Sequence, residues 1–106
     1  MDKIEISLQQ LIADILASDI YRKYDIQRIR VNAIPELKAQ IDEFRRRNLE
    51  LQTDENTTIA QIDSFEREYA RFRENPIVDD FLAAELAFCR LMQDINLRLT
   101  DAMHFE

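Results

Sequence analysis

Few residues in this chain could do covalent or metal chemistry, and their number and spacing argue against it. Cys89 is the single cysteine and His104 the single histidine. A nucleophilic thiol needs a nearby base and a lowered pKa. The only imidazole lies fifteen positions further along, close to the end of the sequence. One cysteine excludes an internal disulfide framework and any self-contained Cys-ligated zinc or iron–sulfur site. One histidine excludes paired-His metal sites, and helical di-metal centres need several Glu with Glu-x-x-His motifs, which are absent. With Phe88 and Leu91 around it, Cys89 reads as a small buried apolar side chain. A small enzyme or redox carrier built on Cys89 is the weakest reading. No catalytic residue, metal ligand or bound cofactor is expected.

Other polar residues suit recognition better than catalysis. Glu85 and Asn96 fall on or beside an apolar seam near the end of the sequence, and Asn48 falls on another. A polar residue in such a seam fixes register or partner at some cost in stability. Arg45, Arg46 and Arg47 form a basic run, with Arg67, Arg71 and Arg73 further on. They could make an RNA-binding face, the alternative function, which would show steeply salt-dependent affinity. The better-supported reading is a solvated, self-paired face that presents charge to a partner. Asp42–Arg46, Glu43–Arg47, Asp63–Arg67 and Asp94–Arg98 are all i,i+4 pairs with the acid first, the more favourable order.

The element that must position these groups is the stretch Asn75 to Met103. Asn75 can accept from an orphan backbone N–H, and Pro76 at the first helical position has no N–H to leave unpaired. Asp79 and Asp80 then suit the positive end of the helix dipole. Val78, Phe81, Glu85, Phe88, Met92, Ile95, Leu99 and Ala102 recur at threes and fours, a coiled-coil-like stripe. Leu82, Leu86, Cys89 and Leu97 widen it beyond what one neighbouring helix would cover. Such a helix is central in a bundle or shared between subunits. We assign the oligomer or partner interface to Phe81, Leu82, Glu85, Phe88, Met92, Ile95, Asn96 and Leu99. On that assignment Phe88→Glu should abolish association, because an unpaired charge in an apolar seam is costly.

Four further segments read as helices. Residues 3–17 carry Ile4, Leu8, Leu11 and Ile15 at heptad spacing, broadened by Ile12 and Leu16. Ser18-Asp19 is a cap or kink, and Asp19 to Val31 continues with Tyr21, Tyr24, Ile26, Ile29 and Val31. Pro35 pushes Ile34 out of the helical region and opens a third helix to about Gln52, with a seam of Leu37, Ile41, Phe44, Asn48 and Leu51. Residues 52–58 are polar and rich in capping types, a helix–helix turn. A fourth helix, about Thr58 to Glu74, shows Ile59, Ile62, Phe65, Tyr69 and Phe72. The final His104-Phe105-Glu106 is expected to fray.

The expected fold is therefore all-α, a single-domain antiparallel bundle of four to five helices with a long C-terminal helix, and oligomeric. Gly is absent from all 106 residues, which disfavours phosphate loops, dinucleotide-binding turns and tight hairpins. The net charge of −7 argues against non-specific nucleic-acid binding by the isolated chain. No apolar run is long enough to span a membrane. The opening MDKIEIS is too acidic for a secretory leader, so a cytoplasmic location is expected.

Three stretches together resemble the YlbF/YmcA family of small helical bacterial regulators. They are Ser18-x-x-Tyr21-x-x-Tyr24, PELKAQIDEFRRRNLELQ at 35–52, and EREYARFRENPIVDDFLAAELAFCRLMQDINLRL at 66–99. The resemblance covers nearly the whole chain, and the order and spacing of the stretches are more specific than any one of them. It implies a non-enzymatic regulatory adaptor that associates with itself or with related subunits. It also implies a role in competence, sporulation and biofilm formation, and action on an mRNA-processing endoribonuclease. Some complexes of the family are associated with iron–sulfur clusters and a flavin. With one cysteine, this chain could offer at most Cys89 as a ligand in a shared site.

Overall fold

Local capping chemistry divides the chain into five helices, and each boundary has an identifiable cause. The computed structural model describes residues 2–104. Helix α1 is Lys3–Ala17, opened by Asp2, whose carboxylate accepts from the Ile4 N–H at 2.7 Å. Ser18 ends it and starts α2, Asp19–Asn32. The extended backbone of Ser18 (φ −71°, ψ 152°) breaks the helix, and its hydroxyl accepts from the Tyr21 N–H at 3.2 Å. The two segments are therefore separate helices. Ser18→Ala should cost about 1 kcal/mol, the usual loss of an N-cap, read as a lower urea midpoint at unchanged slope.

Pro35 takes the first position of α3, Pro35–Thr53, behind an extended Ile34. Helix α4, Ile59–Phe72, carries a complete capping box: Thr58 accepts from the Gln61 N–H, and the Gln61 side chain accepts from the Thr58 N–H. Asn75 and Pro76 open α5, Pro76–Ala102, the longest helix at 27 residues. The expected helices stand, with α4 ending two residues early. At the far end His104 adopts a left-handed φ of 51°, the conformation that commonly terminates a helix. Phe105 and Glu106, which were expected to fray, lie outside the described residues.

Helix α2 runs antiparallel along the first half of α5. Tyr21 meets Phe88, Tyr24 meets both Phe88 and Phe81, and Arg30 reaches Asp80. The buried cluster is Val31, Ile41 and Phe81, surrounded by Tyr24, Phe72, Ile77 and Leu82. Helices α3 and α4 form a hairpin joined by aromatic packing, with Phe44 of α3 stacked on Phe72 at 4.7 Å and tilted against Phe65 at 5.7 Å and Tyr69 at 5.8 Å, all three on α4.

The bundle is open. A folded chain of this length ordinarily has a radius of gyration of about 13 Å, whereas this one measures 17.9 Å and extends over 53 × 37 × 18 Å. Helix α1 contains no buried residue. The fold is all-α, as expected, but much of its apolar surface is left without cover.

Candidate functional site

The interface expected on α5 divides into two halves with different fates. In the first half the seam serves the chain's own core. Phe81 is only 6 % exposed and belongs to the buried cluster, with Leu82 packed against it. Phe88 is half-buried, stacked on Tyr24 at 5.2 Å and edge-on to Tyr21 at 5.4 Å. Glu85 is half-buried and forms an ion pair with Arg45 of α3. The cause is the crossing of α2, which covers precisely these turns of α5 with two tyrosines.

Beyond Phe88 the same seam continues with less cover overall, though unevenly. Ile95 is half-buried, while Met92 is 42 % exposed, Leu99 53 % and Met103 70 %. Asn96 is exposed and its carbonyl accepts from the Thr100 hydroxyl. Apolar seam positions left this exposed have burial still to be gained.

The polar expectations change in the structure. No polar or charged residue is buried among the described residues, and Asn48 and Asn96 are both exposed. Their place in the apolar register does not make them buried register-setting groups within one chain. Cys89 is exposed rather than buried. It lies about 100° around the helix from Phe88, off the face that α2 covers. No group of three or more His, Cys, Asp or Glu among the described residues is placed to hold a metal ion.

The arginine run does not form one patch. Consecutive helical residues point about 100° apart, and each of the three arginines finds a different partner. Arg45 pairs with Glu85, Arg46 with Glu43 and Glu50, and Arg47 with Glu68 of α4 at 2.6 Å. The Arg47 guanidinium also lies 5.3 Å from the centres of both Phe44 and Phe65, so it acts as a tie between α3 and α4. Arg73 closes the start of α5 through Asp79 at 2.7 Å. Arg67 and Arg71 are exposed and form no ion pair among the described residues. Arg45, Arg46 and Arg47 are paired within the chain, but none of the four expected i,i+4 pairs forms among the described residues: Arg46 takes Glu43 at i,i+3 and Glu50, Arg47 takes Glu68, and neither Asp63–Arg67 nor Asp94–Arg98 is an ion pair. Hydrogen bonding from Arg46 holds the Glu43 carboxyl below its ordinary pKa, and the Asp25 hydrogen bond raises that of Arg28. Both effects lie at the surface.

A further feature was missed in the sequence. Between α3 and α4 lies an open groove of about 490 Å³, lined by Phe44, Leu51, Ile62, Phe65 and Tyr69, with Leu82 from α5. Asn48 and Gln52 supply polar atoms along it. The signal was present in the seams of both helices, which carry more apolar surface than one hairpin contact uses.

No helix among the described residues is long and apolar enough to cross a membrane. No solved structure matches the chain. A UPF0342 protein of Caldicellulosiruptor bescii is 21 % identical over 101 residues, covering 92 % of this chain and 85 % of that protein. Residues 4–104 match the family described as control of competence regulator ComK, YlbF/YmcA. With the match running from the second residue of α1 past the end of α5, the chain belongs to the YlbF/YmcA family of competence-control regulators.

Proposed function

We propose that the protein is a non-enzymatic regulatory adaptor, a subunit that associates with itself or with related subunits and presents the assembled surface to a target. The observation that carries this reading is the seam of α5, whose exposure rises from 6 % at Phe81 to 53 % at Leu99 while its apolar register is kept. An apolar stripe of this kind is stabilised by a second helix and contributes nothing while it faces water. Membership of a competence-control family agrees with a role exerted through protein contacts.

The target and programme follow from the family resemblance. They are an mRNA-processing endoribonuclease and, downstream, competence, sporulation and biofilm formation, with the work done in the cytoplasm. RNA binding through the arginines has less support, because Arg45, Arg46 and Arg47 point in different directions and are already paired. The test is a tagged pull-down from the native host at physiological salt, with mass spectrometry of the recovered proteins. Related family subunits or a ribonuclease should come down with the bait. Bait recovered alone would leave the adaptor reading without a partner and would remove it.

A further inference from the structure

The chain exposes two apolar surfaces of opposite shape, and neither fills the other within one molecule. The first is convex. Leu8, Ile12 and Leu16 recur every four residues along α1, and are 48 %, 48 % and 50 % exposed. Rows at this spacing are the ridges that pack into grooves of a neighbouring helical layer. The second surface is concave, the groove of about 490 Å³ between α3 and α4, whose lining comes from α3, α4 and α5 and includes no residue of α1.

The size of the uncovered surface indicates what should cover it. A compact chain of 12.6 kDa exposes about 6,200 Å², while this one exposes 8452 Å². The excess, on the order of 2,200 Å², matches what one partner contributes to a large obligate interface. A foreign helix in the groove would leave the α1 ridge still exposed. A second copy related by a two-fold axis covers both surfaces at once, because each chain supplies one ridge and one groove.

We propose that two copies of this chain pair by reciprocal exchange, the α1 ridge of each seated in the α3–α4 groove of the other. The proposal rests on the self-association reading above and goes beyond it by naming the occupant and the register. Ile12 and Ile62 are its central contact. Leu51, Phe65 and Tyr69 surround the seated ridge, and Asn48 and Gln52 are placed to accept or donate at its edge. The aromatic lining provides large area at low cost in side-chain entropy.

Engineered cysteines test this directly. With the exposed Cys89 replaced by serine, a tagged Ile12→Cys chain is mixed with an untagged Ile62→Cys chain and gently oxidised. A disulfide requires Cα atoms within about 7 Å, so it reports local proximity rather than mere association. The expected product is a mixed covalent dimer in clear excess over either variant alone. In parallel, Ile62→Glu should raise the dimer dissociation constant roughly 30-fold or more, as for a central interface residue, with the helical circular dichroism unchanged. A dimer that cross-links through Leu99→Cys but never between Ile12→Cys and Ile62→Cys overturns the exchange and leaves self-association standing. Equilibrium sedimentation showing only monomer at tens of micromolar overturns the exchange and homotypic self-association together. Pairing with related subunits would then be judged by the pull-down.

Discussion

Phe81→Ala is expected to bring the chain close to the unfolding threshold. Phe81 sits at the centre of the buried cluster with Val31 and Ile41, 6 % exposed. Tyr24 lies 6.1 Å from its ring centre, and the Arg45 guanidinium lies 5.8 Å from it. Truncating a buried phenylalanine costs about 3–5 kcal/mol, combining lost transfer energy with the cavity left behind. The buried apolar set of the described residues comprises Val31, Leu37, Ile41, Phe65, Val78 and Phe81. Total stabilities of small domains are about 5–15 kcal/mol, so a core of this size cannot absorb such a loss. Urea denaturation followed by far-UV circular dichroism should show a midpoint shifted far downward, or no folded baseline. A midpoint equal to that of the wild type would mean that the stability resides elsewhere. The same logic changes the meaning of Phe88→Glu. That charge would face Tyr21 and Tyr24 of its own chain, without an added cation, so the variant reports on folding before it reports on association.

How much of this was legible in the sequence depended on the range of the cause. Helix boundaries were readable because Ser18, Pro35 and the Asn75-Pro76 pair act on backbone groups within a few residues. The amphipathic faces were readable for the same reason. What the sequence could not show was which turns of a uniformly apolar seam meet a partner inside the chain. On α5 that depends on where α2 crosses, and nothing in the spacing of Phe81, Phe88, Ile95 and Leu99 distinguishes the covered half from the open one. Charge pairing failed similarly. Glu43 and Arg47 have ideal helical spacing, yet Arg47 is taken by Glu68 on the neighbouring helix, where it also lies over two aromatic rings. Cys89 was misjudged because a stripe wide enough to include it is wider than the face α2 covers. The groove between α3 and α4 depends on how the two helices sit against each other, and their apolar seams signal spare surface without fixing that placement.

Leu99→Glu separates the assembly surface from the fold, and its effect on association should be the largest of any change that spares the core. Leu99 keeps the heptad register of Phe81 and Phe88 but is 53 % exposed, so a charge there costs the isolated chain little. Substitutions at such positions shift stability by about ±0.5 kcal/mol. In an assembled seam the same carboxylate would be desolvated opposite apolar groups, a penalty of several kcal/mol when unpaired. Partner capture in the pull-down should fall by roughly 30-fold or more, as for a hot-spot residue. Thermal unfolding must be compared at dilution, where wild type is itself dissociated, because association raises the apparent midpoint by mass action. Under those conditions the two proteins should melt together. Leu86→Glu supplies the control. Leu86 is on the same helix and 50 % exposed, but it points away from the seam by about 140° on helical geometry. Loss of capture in Leu99→Glu with retention in Leu86→Glu assigns the partner surface to the seam face. Equal loss in both would mean that general apolarity of α5, rather than its heptad register, drives the association. Equal retention in both would move the partner surface off α5 altogether.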